Sequence, residues 1–599
     1  MIYHCEDHTC NYWDEGEKLP ERCPQCGRKL LRANEADMTG DDWTALGNTL
    51  WDAEASDKKR MVDCFRKAAY LGSAWGVCNL GICMEQGNGV EADPVQAFWL
   101  YRQAVEMGSL NAVCCLGVCY QYGIGTAPDA KQAAELYCKA AEYGSPRGQM
   151  LLARAFHDGI GVEADAAEAV YWVRAAAYQR YGEGMHRLGV CYEYGDGVEQ
   201  NWERAVHWFR EAAESGVSVA MADLGYCYEK GCGVEQSWEQ AFSWYRRGAE
   251  CGYPVSMSNL GLCYKRGYGV DQNWQEAIKW YEQGAQCGDL QSMHNLACCY
   301  ERGEGVEQNE ERALYWYRRS AEGGNGDAMC NLGRCYERGY GVEQNWQEAV
   351  KWYEQGAQCG HLQSMNNLAC CYEDGEGVEQ NMTEAIRWYT AAAEGGNADA
   401  MHDLGWHYDH GEGVEQDMKK AICWYERAAE QNHPAAMNSL GECYAMGRGV
   451  PRDLETAMEW YRRAAELGEA MADYNMGWHL EQAGKLSEAY AHYRKAADGN
   501  DDSAWWALGR FYENGVVVAQ DGKEARRCYE TGEKLGSVKC KMRLARCKLL
   551  GIGGHRAKKA GLDLCRQALE LAKESSEKED YGYEAEMNLL RRTIAENES

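Results

Sequence analysis

Leu80, Leu116, Leu152, Leu188, Leu224, Leu260, Leu296, Leu332, Leu368, Leu404 and Leu440 stand 36 residues apart without a slip. Degenerate copies flank them at Leu46, Met476, Leu508 and Leu544. A fixed period of about 20 to 50 residues is the mark of an array in which each copy is one supersecondary unit. A unit this short lies below the roughly 40 residues usually needed to fold alone, so its apolar face must be covered by the next copy. The stretch 273–344 recurs almost unchanged from 345, which reads as a duplicated two-repeat block.

One unit, residues 254–288, shows how the chain folds locally. Ser256, Met257, Leu260, Gly261, Cys263 and Tyr264 follow the three- and four-residue steps of one helical face, here called helix A. The run Gly267-Tyr268-Gly269-Val270 breaks it, because glycine supplies the positive φ at which helices commonly end. Asn273 then precedes Glu276 by three, a capping-box pattern repeated by Asn345 with Glu348 and Asn381 with Glu384. Helix B follows, with Ala277, Trp280, Tyr281 and Ala285 on its inner face and Gly288 stopping it.

The composition supports repetition and excludes several functions. There are 22 Trp and 39 Tyr but only 6 Phe, a skew that copying one motif produces more readily than filling independent cores. The net charge of −31, without a basic stripe, disfavours nucleic acid. Residues 1–20 lack a basic region followed by an apolar one, and no long apolar run occurs, so the expectation is a cytoplasmic chain that does not enter a membrane. In that compartment the 30 Cys read as reduced thiols plus a metal site rather than as disulfides.

The run A/S-x3-L-G-x2-Y-x2-G-x-G-V-x6-A-x2-W-Y-x3-A-x2-G, carried here by Ser256, Leu260, Gly261, Tyr264, Gly267, Gly269, Val270, Ala277, Trp280, Tyr281 and Gly288, resembles the Sel1-like repeat, a relative of tetratricopeptide repeats. The resemblance covers roughly residues 42–556. It implies an all-α fold, a right-handed α/α superhelical solenoid that holds other proteins together as an adaptor. Some members of that family are exported, Cys-rich proteins whose disulfides join a Cys late in helix B to one early in the next helix A. The later position is usually Met here, as at Met257 and Met293, which argues against transferring those disulfides.

Ahead of the repeats, Cys5, Cys10, Cys23 and Cys26 form C-x4-C-x12-C-x2-C. Four thiolates so spaced suit tetrahedral Zn²⁺, or iron in a rubredoxin-type site. The span from Cys10 to Gly27 resembles the rubredoxin-like, zinc-ribbon-like module at the end of rubrerythrins, with two extra residues in the first pair and His8 as a competing ligand. The expected organisation is thus a metal module over 1–35, the repeat solenoid over 42–556 and capping helices over 557–599. A closed four-ligand site leaves no position for substrate, so it anchors or recruits rather than catalyses.

No enzyme is expected. Cys83, Cys119, Cys191, Cys227, Cys263, Cys299, Cys335, Cys371 and Cys443 all follow the anchor by three and read as small core residues packed under the adjacent Tyr. His402, Asp403, His407 and His410 have spacing suited to a shared metal, but His407 occupies the buried Cys slot and faces away. The GxGV loops lack the preceding strand and following Lys-Ser/Thr of a phosphate loop and read as turns.

What remains of helix A after its core is subtracted lies two and one before the anchor, and two, five and six after it. One before stand Asn79, Asn259, Asn295, Asn331, Asn367 and Asn475. Such a row either hydrogen-bonds the backbone of an extended peptide or forms an inter-repeat ladder. Two after stand Arg154, Tyr226, Arg334, Trp406, Glu442, Trp478 and Arg510, a variation that suits a partner surface rich in hot-spot residues as well as drift on a solvated face. The function these features support is a scaffold binding a neutral or basic protein or peptide along a concave helix-A groove. A metal- or redox-responsive regulator acting through the N-terminal cysteines, and an exported Cys-rich repeat protein, are the alternatives.

Overall fold

The computed structural model describes residues 2–5, 13–15, 30–33, 38–51, 55–578 and 584–598. Among them, three short strands precede thirty-one helices. Strand β1 (Ile2–Cys5) runs between β2 (Trp13–Glu15) and β3 (Leu30–Ala33), antiparallel to both, with Tyr3 opposite Asp14 and Arg32. Cys5 closes β1 opposite Leu30. Cys10, Cys23 and Cys26 lie outside the described residues.

The chain divides into two compact units, Met1–Gln308 and Asn309–Ser599. Each is built alike: helix A packs on helix B of its own repeat, and helix B packs on helix A of the next. In the first unit, helix A Pro254–Arg266 ends at Gly267, whose φ of 75° lets its N–H reach the Cys263 carbonyl at 2.8 Å. The second loop glycine, Gly269, has φ 69° and presses on the backbone of Trp238 in the preceding repeat, where a Cβ would collide. Glycine is therefore required there twice over, by its dihedral and by the close approach.

Helix B, Trp274–Gln286, begins as its sequence predicts: Asn273 Oδ1 accepts the Glu276 N–H at 3.2 Å. The reciprocal half of the capping box does not form. The Glu276 carboxylate turns instead to Lys279 at 3.2 Å, and Glu348 and Glu384 likewise meet Lys351 at 3.4 Å and Arg387 at 2.8 Å. A cation one turn on outcompetes a neutral backbone amide for these carboxylates.

The core repeats with the sequence. Tyr101, Tyr137, Tyr245, Tyr281, Tyr353, Tyr389, Tyr425, Tyr461, Tyr493 and Tyr529 are among the largest fully buried side chains. The glycine after the anchor lies beneath the ring: a Cβ on Gly261 would run into Tyr281, and one on Gly333 into Tyr353. Cys263 and its equivalents are buried beside this contact. A second close approach joins each helix B to the next helix A. Ala392 faces Ala400 and Ala428 faces Ala436, whereas Gly248 faces Ser256, Gly284 faces Ser292 and Gly356 faces Ser364. Where the helix-A partner is serine, the helix-B partner is glycine.

At the end of the second unit, Lys558–Lys578 and Glu584–Glu598 cover Val538–Leu550. Cys565, Ala568, Met587 and Leu590 close over Met542, Ala545 and Leu549. Arg543 is held between Glu586 at 2.7 Å and Glu513 at 3.3 Å.

Candidate partner-binding surface

The frame just described fixes which helix-A side chains are free. Five after the anchor, a position that periodicity leaves to the outer face, the acidic residues are spoken for. The buried tyrosine of helix B donates its hydroxyl to them: Tyr101 to Glu85 at 2.6 Å, Tyr245 to Glu229 at 2.8 Å, Tyr353 to Glu337 at 2.6 Å, Tyr389 to Glu373 at 2.7 Å and Tyr529 to Glu513 at 2.8 Å. Burial and the adjacent carboxylate push each of these phenols well above the usual tyrosine range. The signal was present in the sequence, as Glu five after the anchor and Tyr sixteen further on, but period analysis of each helix alone does not join the two.

The asparagine row is divided. Asn79 Nδ2 donates to Asn48 at 2.8 Å, Asn475 Nδ2 to Asn438 at 3.0 Å and Glu442 at 3.2 Å, and Asn367 Nδ2 to Cys330 Sγ at 3.4 Å, each reaching back to the preceding repeat. Asn295 and Asn331 accept from their own helices, from Gln291 at 3.3 Å and Arg334 at 3.4 Å. Asn259 makes no side-chain hydrogen bond among the described residues. All six are half-buried.

Two after the anchor, Tyr226 and Trp478 are 45% and 37% exposed. Arg154 is exposed as well; Arg334 and Trp406 are half-buried, Trp406 stacking on His410 with centroids 4.3 Å apart. Arg510 is tied to Glu481 at 2.7 Å and lies over Trp506 at 4.5 Å. Glu442 accepts from Asn438 at 3.1 Å as well as from Asn475. The histidines do not converge. His407 is buried, with Nδ1 at 3.1 Å from the Glu412 carbonyl, while His410 Nδ1 lies 2.9 Å from the Trp406 carbonyl and His402 lies beside Asp403 and the His433 ring.

A family model described as the Sel1 repeat matches thirteen times: at 76–109, at 112–145, in nine consecutive copies from 146–181 to 434–469, at 470–501 and at 504–537. The chain belongs to the Sel1 repeat family. Among solved structures, this Sel1 repeat chain is 32% identical to a protective antigen of uropathogenic Escherichia coli displaying an SLR fold, a match that covers 75% of this chain and 97% of that one at a TM-score of 0.51. A Sel1 repeat protein from Oxalobacter formigenes is also 32% identical over 41% of this chain and 96% of that one, with a TM-score of 0.37. No match is found among curated proteins.

A Sel1 repeat solenoid is a protein–protein interaction scaffold and not an enzyme, and the thiols of this one fit that class. Burial pushes Cys263 and Cys371 up to about 12 and Cys83 and Cys191 up to about 11, so they are inert core residues. Cys115 departs: a hydrogen bond with Cys78 lowers it, with Arg147 assisting from 3.6 Å. Among the described residues no helix is long and apolar enough to cross a membrane.

Proposed function

We propose that this Sel1 repeat scaffold takes a neutral or basic protein, or an extended segment of one, along its helix-A face. The observation that carries the reading is the contrast between a frame repeated almost without change and the position two after the anchor, which varies from copy to copy and is exposed at Arg154, Tyr226 and Trp478. These are the residue types that anchor interfaces. Asn259, whose amide has no partner among the described residues, and Asn295, which accepts from Gln291 of its own helix, retain capacity for a peptide backbone, and Asn331 belongs to the same row; Asn79, Asn367 and Asn475 serve the stack as well. The surplus of 31 negative charges favours encounter with a basic or neutral segment and works against nucleic acid.

The N-terminal cysteines support a structural Zn²⁺, with iron as the other metal of the same ligand set. Cys5 ends β1 opposite Leu30, and in the sequence Cys23 and Cys26 stand seven and four residues before Leu30. Thiolate sets of this kind bind metal and fold together, which makes the module an anchor or second contact for the scaffold.

The test is affinity capture from the source cell with the intact chain and with the triple variant Arg154→Ala, Tyr226→Ala, Trp478→Ala. Trp99→Ala, at a 57% exposed helix-B position, serves as the control. Loss of the captured protein in the triple variant alone, with helicity unchanged, is expected. Retention of the same partner by the triple variant would place the interface elsewhere.

A further inference from the structure

Between two repeats that keep an aromatic ring at the tyrosine position, one has none there. Tyr137 and Phe209 fill the ring position in the repeats on either side, each buried, with Tyr137 Oη reaching Gln121 at 2.7 Å. In the repeat between them the ring position is Val173, the residue after the anchor is Ala153 rather than glycine, and the acceptor position is His157 rather than Glu or Gln. A cavity of about 450 Å³ opens at this place, among Pro146–Asp158, Ala166–Tyr178 and Gly182–Tyr194. Val173, Ala153 and His157 all line it, so the cavity opens beside the position of the missing ring.

Its walls are mixed. Ala169, Val170 and Cys191 supply apolar surface, and three arginines, Arg147, Arg154 and Arg187, line the same cavity in a chain of net charge −31. The carboxylates that also face it are engaged. Asp158 meets His157 at 2.6 Å and Arg154 at 3.4 Å, Asp196 meets His157 at 3.2 Å and Arg187 at 4.0 Å, and Glu183 accepts from Tyr181 at 3.2 Å. Arg147 has no carboxylate partner among the described residues. Its hydrogen bonds, to Asn111 at 2.7 Å and Cys115 at 3.6 Å, use Nη1 alone.

We propose that this cavity binds an aromatic carboxylate. The ring enters the cavity beside Ala153 and Val173, where the neighbouring repeats carry a ring of their own, and the carboxylate meets the side of Arg147 that its hydrogen bonds leave open. A planar ring is what the neighbouring repeats close upon, and a guanidinium lacking a carboxylate is the complement of an anion. The same chemistry is offered by a free aromatic acid and by a tyrosine or phenylalanine at the C-terminus of another chain.

Isothermal titration of the full chain tests this with 3-(4-hydroxyphenyl)propionate, the cationic analogue tyramine, neutral 4-ethylphenol, and the peptide Gly-Gly-Gly-Tyr with a free or an amidated C-terminus. The acid is expected to saturate one site, with tyramine weaker by about tenfold or more. Val173→Tyr rebuilds the ring and abolishes binding; the pair Ala369 and Tyr389 shows that alanine after the anchor accepts a tyrosine. Arg147→Gln weakens the acid by about tenfold while leaving 4-ethylphenol unchanged, and it decides the matter even if Val173→Tyr does not fold. Tight binding of the free-carboxylate peptide but not its amide assigns the site to a chain terminus, and binding of the acid without either peptide assigns it to a small molecule. Equal affinity for acid and tyramine, acid binding undiminished in folded Val173→Tyr, or no saturation by acid or peptide would overturn the proposal.

Discussion

At the scale of single residues, the buried phenols differ in what holds them. Tyr353 donates to Glu337 at 2.6 Å, but at the matching position for Tyr281 the chain has Lys265, which turns to Glu304 at 3.0 Å. Among the described residues no acceptor reaches Tyr281 Oη, although the side chain is fully buried. Removing a partnered buried hydroxyl costs about 1–2 kcal/mol because the carboxylate left behind loses its donor, whereas removing an orphan costs about nothing. Denaturant unfolding should therefore show Tyr353→Phe destabilised and Tyr281→Phe neutral or slightly stabilised; equal losses would mean that the hydrogen bond is not the reason the tyrosine is used. A second residue-scale prediction concerns Asp501, which caps Asp502–Asn514 by accepting the Ala504 N–H at 2.6 Å. Burial raises its carboxyl from 3.8 to about 6. The charged form is thus disfavoured by folding, so the contribution of this group is fullest below about pH 4 and falls as pH rises through about 6. Asn325 and Asn397 cap the same position elsewhere without a charge. Asp501→Asn should raise stability at neutral pH by on the order of 1–2 kcal/mol and flatten the melting temperature across that window. An unchanged pH slope would count against it.

At the scale of elements, each helix B meets the next helix A through a pair of small residues whose combined size is limited. Gly284 faces Ser292 so closely that a methyl on Gly284 would overlap the serine Oγ, which itself has no hydrogen-bond partner among the described residues. Gly284→Ala should cost about 1–3 kcal/mol by overpacking. Adding Ser292→Ala should recover most of the loss, since Ala392 with Ala400 shows that two methyls pack there. A double-variant cycle reads this directly, and additive losses would show that the two helices do not meet as described. Much at this scale was legible beforehand. The helix ends were marked by the GxGV loops and the Asn caps, because those are local demands of φ and of unsatisfied N–H groups. The second half of the capping boxes was not, because it depends on whether Lys279, Lys351 or Arg387 competes for the same carboxylate.

At the scale of the whole molecule, two compact units share one construction. Cys565, Ala568 and Leu590 cover the last repeat, which would otherwise expose the face that every other repeat buries on its neighbour. At the other end, chelation of a metal held by Cys5, Cys10, Cys23 and Cys26 should release four titratable thiols and leave the helical circular dichroism almost intact, since the repeats stack without them. Metal analysis should give about one zinc or iron per chain, falling in Cys23→Ser. A chain purified without metal, or one whose helices melt on chelation, would rule out a separate metal module.

The period by itself determined that this chain is a stack of two-helix units, because a two-helix unit has one apolar face and a repeat has only its neighbours to cover it. It also placed the loop glycines and the buried leucine, cysteine and tyrosine. Only the tertiary structure decided what each outward position does. The glutamates at position five of the outer face turned inward to the tyrosines, Asn79 and Asn475 were drawn into the stack, and the repeat carrying Val173 was left with an open cavity. Periodicity reports which face of a helix a residue occupies. Whether that residue is free there depends on how far the side chains of the next helix reach.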